Sequence, residues 1–140
     1  ALTVARANVA RCASLLEAPV ELRAGSLLAA VHEQPLRAVV SNPPYISWHE
    51  RDALPASVRD WEPAVALFSE ADGLATTSRL VREAGVALEW GGLLALEVDV
   101  RRASVVAELV ATHGAFERVQ VVLDLTGRER FVVARRREAE

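Results

Sequence analysis

The sequence predicts an open α/β sheet, mostly parallel, that ends in an antiparallel hairpin. Three observations predict it. Apolar residues recur with helical period in three segments and gather into short strand-like runs between them. One run, Leu93–Val98, is almost continuously apolar, as a strand buried in a parallel sheet must be. Two others, Val119–Leu123 and Arg130–Arg135, are separated only by Asp124–Glu129, a gap that suits a hairpin.

Taken in order, Leu2, Ala5, Val9, Cys12, Ala13 and Leu16 recur at steps of three and four, which predicts a helix closed by Pro19. Cys12 falls on its apolar face and is expected in the core. No capping residue precedes this helix, so the chain is expected to begin inside a domain. Val20–Ala24 alternates apolar and polar and is expected to be a strand, with Gly25 closing it. Leu27–Val31 has the length of one helical turn. Arg37–Asn42 is an apolar strand running into Pro43-Pro44, where two missing backbone donors must stop the sheet.

Residues 46–71 show no period and carry Pro55, Pro63, Trp48 and Trp61, which predicts a long loop with short helical turns. Asp72 can cap a helix to about Glu89, with Leu74, Thr77, Val81, Ala84 and Leu88 on one face and Gly91-Gly92 ending it. After the Leu93–Val98 strand, Asp99 can cap a helix with Ala103, Val106, Ala107 and Val110 inward, closed by Gly114. Arg135-Arg136-Arg137 is expected to be a solvated tail.

Composition narrows the function. At 140 residues the chain has room for one domain, and 51% hydrophobic with 25% charged residues is globular rather than disordered. A net charge of −3 is a poor basis for gripping phosphate by bulk charge, so no direct contact with nucleic acid is expected. The single cysteine excludes an internal disulfide framework, and His32, His49 and His113 lack metal-ligand spacing, so no metal is expected. No apolar run approaches a membrane span and no signal peptide is evident, so the cytoplasm is the expected compartment, with no membrane partner.

Ligands of open α/β sheets sit beyond the carboxyl ends of the strands, and Asn42-Pro43-Pro44-Tyr45 falls at such an end. Two prolines hold the backbone extended. They can aim the Asn42 side chain and the Pro43 carbonyl into one cleft, where both accept hydrogen bonds. Together they can grip an NH2 group by its two hydrogens and leave the nitrogen lone pair facing away. Tyr45 offers a flat face to a planar group. That arrangement suits transfer of an electrophile to an amino or amide nitrogen. A plain strand-ending turn explains the same four residues. No strong general base is evident. Glu62 and Glu97 are the carboxylates closest to consideration, each with a structural role as the simpler account, and His49 reads as a loop residue in solvent. Trp48 and Trp61 either close over a bound substrate or pack the loop on the sheet.

Val40-Ser41-Asn42-Pro43-Pro44-Tyr45-Ile46 resembles the signature of S-adenosylmethionine-dependent amino methyltransferases. Glu62–Leu67, Asp72-Gly73-Leu74, Gly91–Glu97 and Asp124–Phe131 follow in order, and with them essentially the whole chain resembles the peptide chain release factor glutamine N5-methyltransferase family. The resemblance implies a Rossmann-like class I methyltransferase sheet, with residues 1–140 forming the C-terminal part of the domain. Its strand order would be three-two-one-four-five-seven-six, of which this chain holds strands three to seven. It lacks the first two strands, the glycine-rich cofactor turn and the N-terminal substrate-binding region.

The implied reaction moves a methyl group from S-adenosylmethionine to the glutamine amide of a Gly-Gly-Gln loop in a release factor. Asn42 and Pro43 would be catalytic and hold that amide. Pro44 and Tyr45 would shape its slot. Ser26, Leu27 and Asn42 would line the cofactor. Two alternatives stand beside this: an amino methyltransferase of DNA adenine or rRNA guanine, and a non-catalytic remnant of the fold. Because strands one and two are missing, the 140 residues alone are expected to bind the methyl donor poorly. The bare edge of the strand before Asn42 is expected to pair with strand three or with another chain.

Overall fold

The computed structural model describes residues 1–31 and 35–138; His32 lies outside the described residues. Four strands make the main sheet in the order β1-β4-β6-β5: β1 (Leu36–Ser41), β4 (Leu88–Glu97), β6 (Glu129–Arg136) and β5 (Phe116–Leu123). β1 and β4 are parallel, with Val40 opposite Ala95 and Ser41 opposite Leu96. β6 runs antiparallel to both β4 and β5, and so the terminal hairpin inserts its second strand next to β4. This is the four-five-seven-six order that the resemblance implies.

Two helices, α5 (Ala75–Ala87) and α6 (Ala103–Thr112), pack on the sheet and on each other. Their apolar stripes meet the sheet through Leu80, Val81, Ala84, Val106 and Val110, all buried. Along β4 the side chains alternate: Leu94 and Leu96 are 0% exposed in that core, while Leu93, Ala95 and Glu97 on the opposite face are half-buried. Removing such leucines from water is the main force holding helices to sheet, at roughly 1.5–3 kcal/mol per large side chain. Among the described residues no helix is long and apolar enough to cross a membrane.

The long segment after Tyr45 is largely loop and short turns, as its lack of period predicts. β2 (Ile46–Ser47) pairs in parallel with β3 (Phe68–Ser69) as a small second sheet. Between them lie a 3-10 turn over Trp48–Ala53, α2 (Ala56–Arg59) and α3 (Ala64–Leu67). A single turn, α4 (Glu70–Gly73), leads into α5; within it Ala71, Asp72 and Gly73 have φ of 50°, 54° and 88°.

Several expectations fail. Val20–Ala24 is not a strand: among the described residues neither sheet takes it into its ladder, and alternation alone does not make a strand. Among the described residues β1 is consequently an edge strand, hydrogen-bonded to β4 on one side, and Val40 is 76% exposed. The first helix, α1 (Leu2–Cys12), has no buried residue, and Cys12 is exposed rather than in the core. Its apolar spacing marks a face, and Leu2, Ala5 and Val9 on that face are half-buried, but among the described residues nothing covers it fully. Asp72 does not cap α5: its left-handed backbone precludes it, and the helix begins after Leu74. Gly91-Gly92 does not end the helix either, since β4 has already begun at Leu88. Asp99 likewise precedes the cap position of α6, which Arg102 occupies, and turns back onto the Arg101 N–H. The three terminal arginines are not a solvated tail. Arg135 donates to the Gly91 carbonyl, Arg136 stacks 4.6 Å from the Trp90 ring centroid, and Arg137 donates to the Gly114 and Phe116 carbonyls.

Candidate functional site

Asn42 leaves the carboxyl end of β1 in solvent, and among the described residues its side-chain amide has no hydrogen-bond partner. Pro43 behind it is buried, while Pro44 and Tyr45 are half-buried. An anchored corner thus presents one uncommitted amide. The β1–β4 register puts Glu97 at the neighbouring strand end, one position beyond the Ser41–Leu96 pair. Glu62, by contrast, is exposed on the loop.

Beside the corner is a cavity of about 490 Å3 lined by Ser26, Leu27, Pro44, Trp48, Phe68 and Thr76 among others. That volume is in the ~300–1,000 Å3 range of small-molecule sites. Three residues singled out in the sequence, Ser26, Leu27 and Pro44, therefore meet across one hollow. Asn42, Pro43 and Tyr45 do not line it. Trp48 stacks on Phe68 with centroids 4.4 Å apart and planes 19° apart, and it remains half exposed, while Trp61 is 86% exposed. Of the two readings for the tryptophans, Trp48 packs its own loop and Trp61 touches solvent.

Sequence reasoning missed the groups that hold this region together. The Ser26–Ala29 turn is closed by Ala29 N–H on the Ser26 carbonyl, and the preceding amide, that of Leu28, donates to Glu83 of α5 at 2.9 Å. Burial pushes the Glu83 carboxyl up, but the Leu28 N–H and Arg79 outweigh it and hold it below its ordinary value. Ser69 Oγ accepts the Thr76 N–H at 2.9 Å at the start of α5.

On the other side of the corner, Glu50 accepts the Ser47 N–H at 3.0 Å and pairs with Arg102 at 2.6 Å and Arg101 at 2.7 Å. Burial raises the Glu50 carboxyl; the Ser47 N–H and the two guanidinium groups more than reverse this. The only local sign of this cluster is the Ser47–Glu50 capping box. Among the described residues no group of three or more His, Cys, Asp and Glu could hold a metal ion.

The fold is a mixed, open α/β sheet that presents the Asn42 amide at a strand end. No protein-family model matches it. Curated relatives do. It is 43% identical over 136 residues, 97% of the chain, to the release factor glutamine methyltransferase of Deinococcus radiodurans, and covers 46% of that protein. It is 41% identical over 138 residues to the enzyme of the same name from Moorella thermoacetica, covering 99% of the chain and 48% of the relative. A crystal structure of a release factor-specific protein-(glutamine-N5) methyltransferase from Alicyclobacillus acidocaldarius overlays 74% of the chain and 50% of its own at 30% identity, with a TM-score of 0.47. By sequence the chain belongs to the release factor glutamine methyltransferase family, and it spans about half the length of the curated relatives it matches.

Proposed function

We propose that the protein containing this chain transfers a methyl group from S-adenosylmethionine to the side-chain amide of the glutamine in the Gly-Gly-Gln loop of a peptide chain release factor, in the cytoplasm. One observation carries the reading: the Asn42 amide is solvent-facing and uncommitted at the end of β1, on a buried proline, beside a ligand-sized cavity. The family membership supports it.

The residues present suit an adenine-bearing donor along one side. Leu27, Trp48 and Phe68 supply apolar and aromatic walls, and Ser26 and Thr76 supply polar edges. Ser26 and Leu27 would hold the adenine side, with Asn42 near the reacting end. When bound, the donor supplies an electrophilic methyl carbon on a sulfonium.

An amide nitrogen is a weak nucleophile because its lone pair is delocalised. As a carbon bond forms to it, the nitrogen turns tetrahedral and its N–H bonds become more acidic. Asn42 Oδ1 and the Pro43 carbonyl accept those two N–H groups, and both bonds strengthen as positive charge grows on the nitrogen. With the donor bound, an N–C bond would form as the S–C bond breaks with its electrons left on sulfur, while Asn42 and Pro43 hold the nitrogen, and one N–H proton would leave to water. Pro44 and Tyr45 keep the amide plane in its slot, which is a contribution of orientation rather than of acid–base chemistry.

The test is tritiated methyl transfer by the full-length protein to a release factor, with DNA and rRNA as competing acceptors. Label should enter the release factor, and Asn42→Ala should lower kcat about 10²–10³-fold, the scale of losing one transition-state hydrogen-bond partner. Label entering DNA or rRNA instead, or full turnover by Asn42→Ala, would overturn the proposal.

A further inference from the structure

The Asn42–Tyr45 corner is held by two contacts that converge on one distant side chain. On one side, Ser47 follows Tyr45 by two residues and donates its N–H to Glu50 Oε2. On the other, Gly73 lies directly under the Tyr45 carbonyl, where a Cβ would overlap that oxygen. The residue before it, Asp72, has a left-handed backbone, and its carbonyl is an acceptor for a side-chain donor. Arg102 joins the two sides. Its Nε–H donates to the Asp72 carbonyl at 2.8 Å, its Nη2 to Glu50 Oε2 at 2.6 Å, and its Nη1 lies 3.8 Å from Asp99.

The Arg102 side chain is only 14% exposed, and its Nε would stand 3.0 Å from a Cβ at position 73, so the glycine leaves room for it as well as for the Tyr45 carbonyl. A rigid fork with donors on two edges can bridge a carbonyl and a carboxylate; lysine's donors all sit on one nitrogen at the end of a flexible stem and span the two less well. Arg101 is a poor substitute, since it reaches Glu50 and Asp99 from a largely exposed position and, among the described residues, donates no hydrogen bond to the turn.

We propose that Arg102 is a positioning residue for methyl transfer: by tying the Asp72 carbonyl to the Glu50 carboxylate it sets the corner that carries Asn42 and Pro43. The kinetic part of this inference rests on the function proposed above. Asp99 and Glu50 neutralise the guanidinium, so its role is geometric rather than a direct charge on the substrate.

The experiment uses the full-length protein and compares wild type, Arg102→Met, Arg102→Lys and Asn42→Ala. Arg102→Met should lower kcat about 10–100-fold, the range for a small displacement of positioned groups. The KM for S-adenosylmethionine should move less than about threefold. Arg102→Lys should recover only part of the loss. Hydrogen exchange in peptides covering residues 42–53 should accelerate in Arg102→Met, while peptides from β4 and β6 stay protected. If Arg102→Met does not fold, Glu50→Gln loosens the same clamp from its other side and is put through the same measurements.

The inference is overturned if kcat stays within twofold of wild type. It is equally overturned if β4 and β6 exchange faster together with 42–53, which is general destabilisation. If wild type methylates no release factor, the functional reading falls. Exchange at 42–53 then decides the positioning claim by itself: acceleration upholds it and no change overturns it.

Discussion

Asp124 shows how one carboxylate can define a turn. Its Oδ1 accepts the Arg128 N–H at 3.0 Å, the Thr126 O–H at 2.7 Å and the Thr126 N–H at 2.8 Å, so three donors converge on one oxygen. The Arg128 amide, then the Thr126 hydroxyl, lower its pKa from 3.8 to about 2. The sign follows from linkage. In the unfolded chain the group protonates near 3.8, whereas the folded turn keeps it ionised to about 2. The stabilisation is complete above that unfolded value and disappears as pH falls through the folded one. The difference in thermal midpoint between wild type and Asp124→Ala should be widest at about pH 6 and shrink towards zero near pH 2. A difference that does not change over that window would show that the charged form is not what the turn holds.

At the scale of elements, two glycines with nearly the same backbone separate strain from collision. Gly73 has φ +88° and Gly127 has φ +80°. Gly127, in the β5–β6 turn, would meet no atom within 4 Å with a Cβ, whereas Gly73 would run into the Tyr45 carbonyl. Gly127→Ala should therefore lose only the left-handed penalty, about 1–2 kcal/mol. Gly73→Ala should lose that and displace the corner as well, roughly 3 kcal/mol or more in all. Urea unfolding of both variants measures this; equal losses would mean that the α4 turn does not press on the corner.

For the whole molecule, stability is distributed unevenly. β4 is paired on both sides and buried under α5 and α6, whereas α1 has no buried residue and touches mainly its own continuation at Ala13–Leu15. A short helix with little tertiary packing is marginal in water. In the 140-residue chain, amides of 2–12 should exchange within about tenfold of unfolded rates. Those of 93–97 and 131–135 should be protected by several orders of magnitude. Comparable protection in both regions would mean that α1 is covered by a contact not seen here.

Much of this arrangement is written locally. The apolar period identified α5 and α6 to within a few residues, the nearly continuous apolar run Leu93–Val98 marked a buried strand of the sheet, and the short Asp124–Glu129 gap made the last two strands a hairpin. The prolines after Asn42 located the strand end by removing backbone donors. These are properties of neighbouring residues, so sequence alone determines them. It could not decide whether an alternating or amphipathic segment finds a partner. Val20–Ala24 and α1 have the right patterns, yet one forms no strand and the other buries no residue fully, because pattern states which face is apolar and not what meets it. Only the tertiary structure brought Ser26 and Leu27 to Pro44, and Arg102 to Glu50 and Asp72. Those contacts join residues far apart along the chain, and their directional hydrogen bonds come into being only when the sheet and its helices have set the distances.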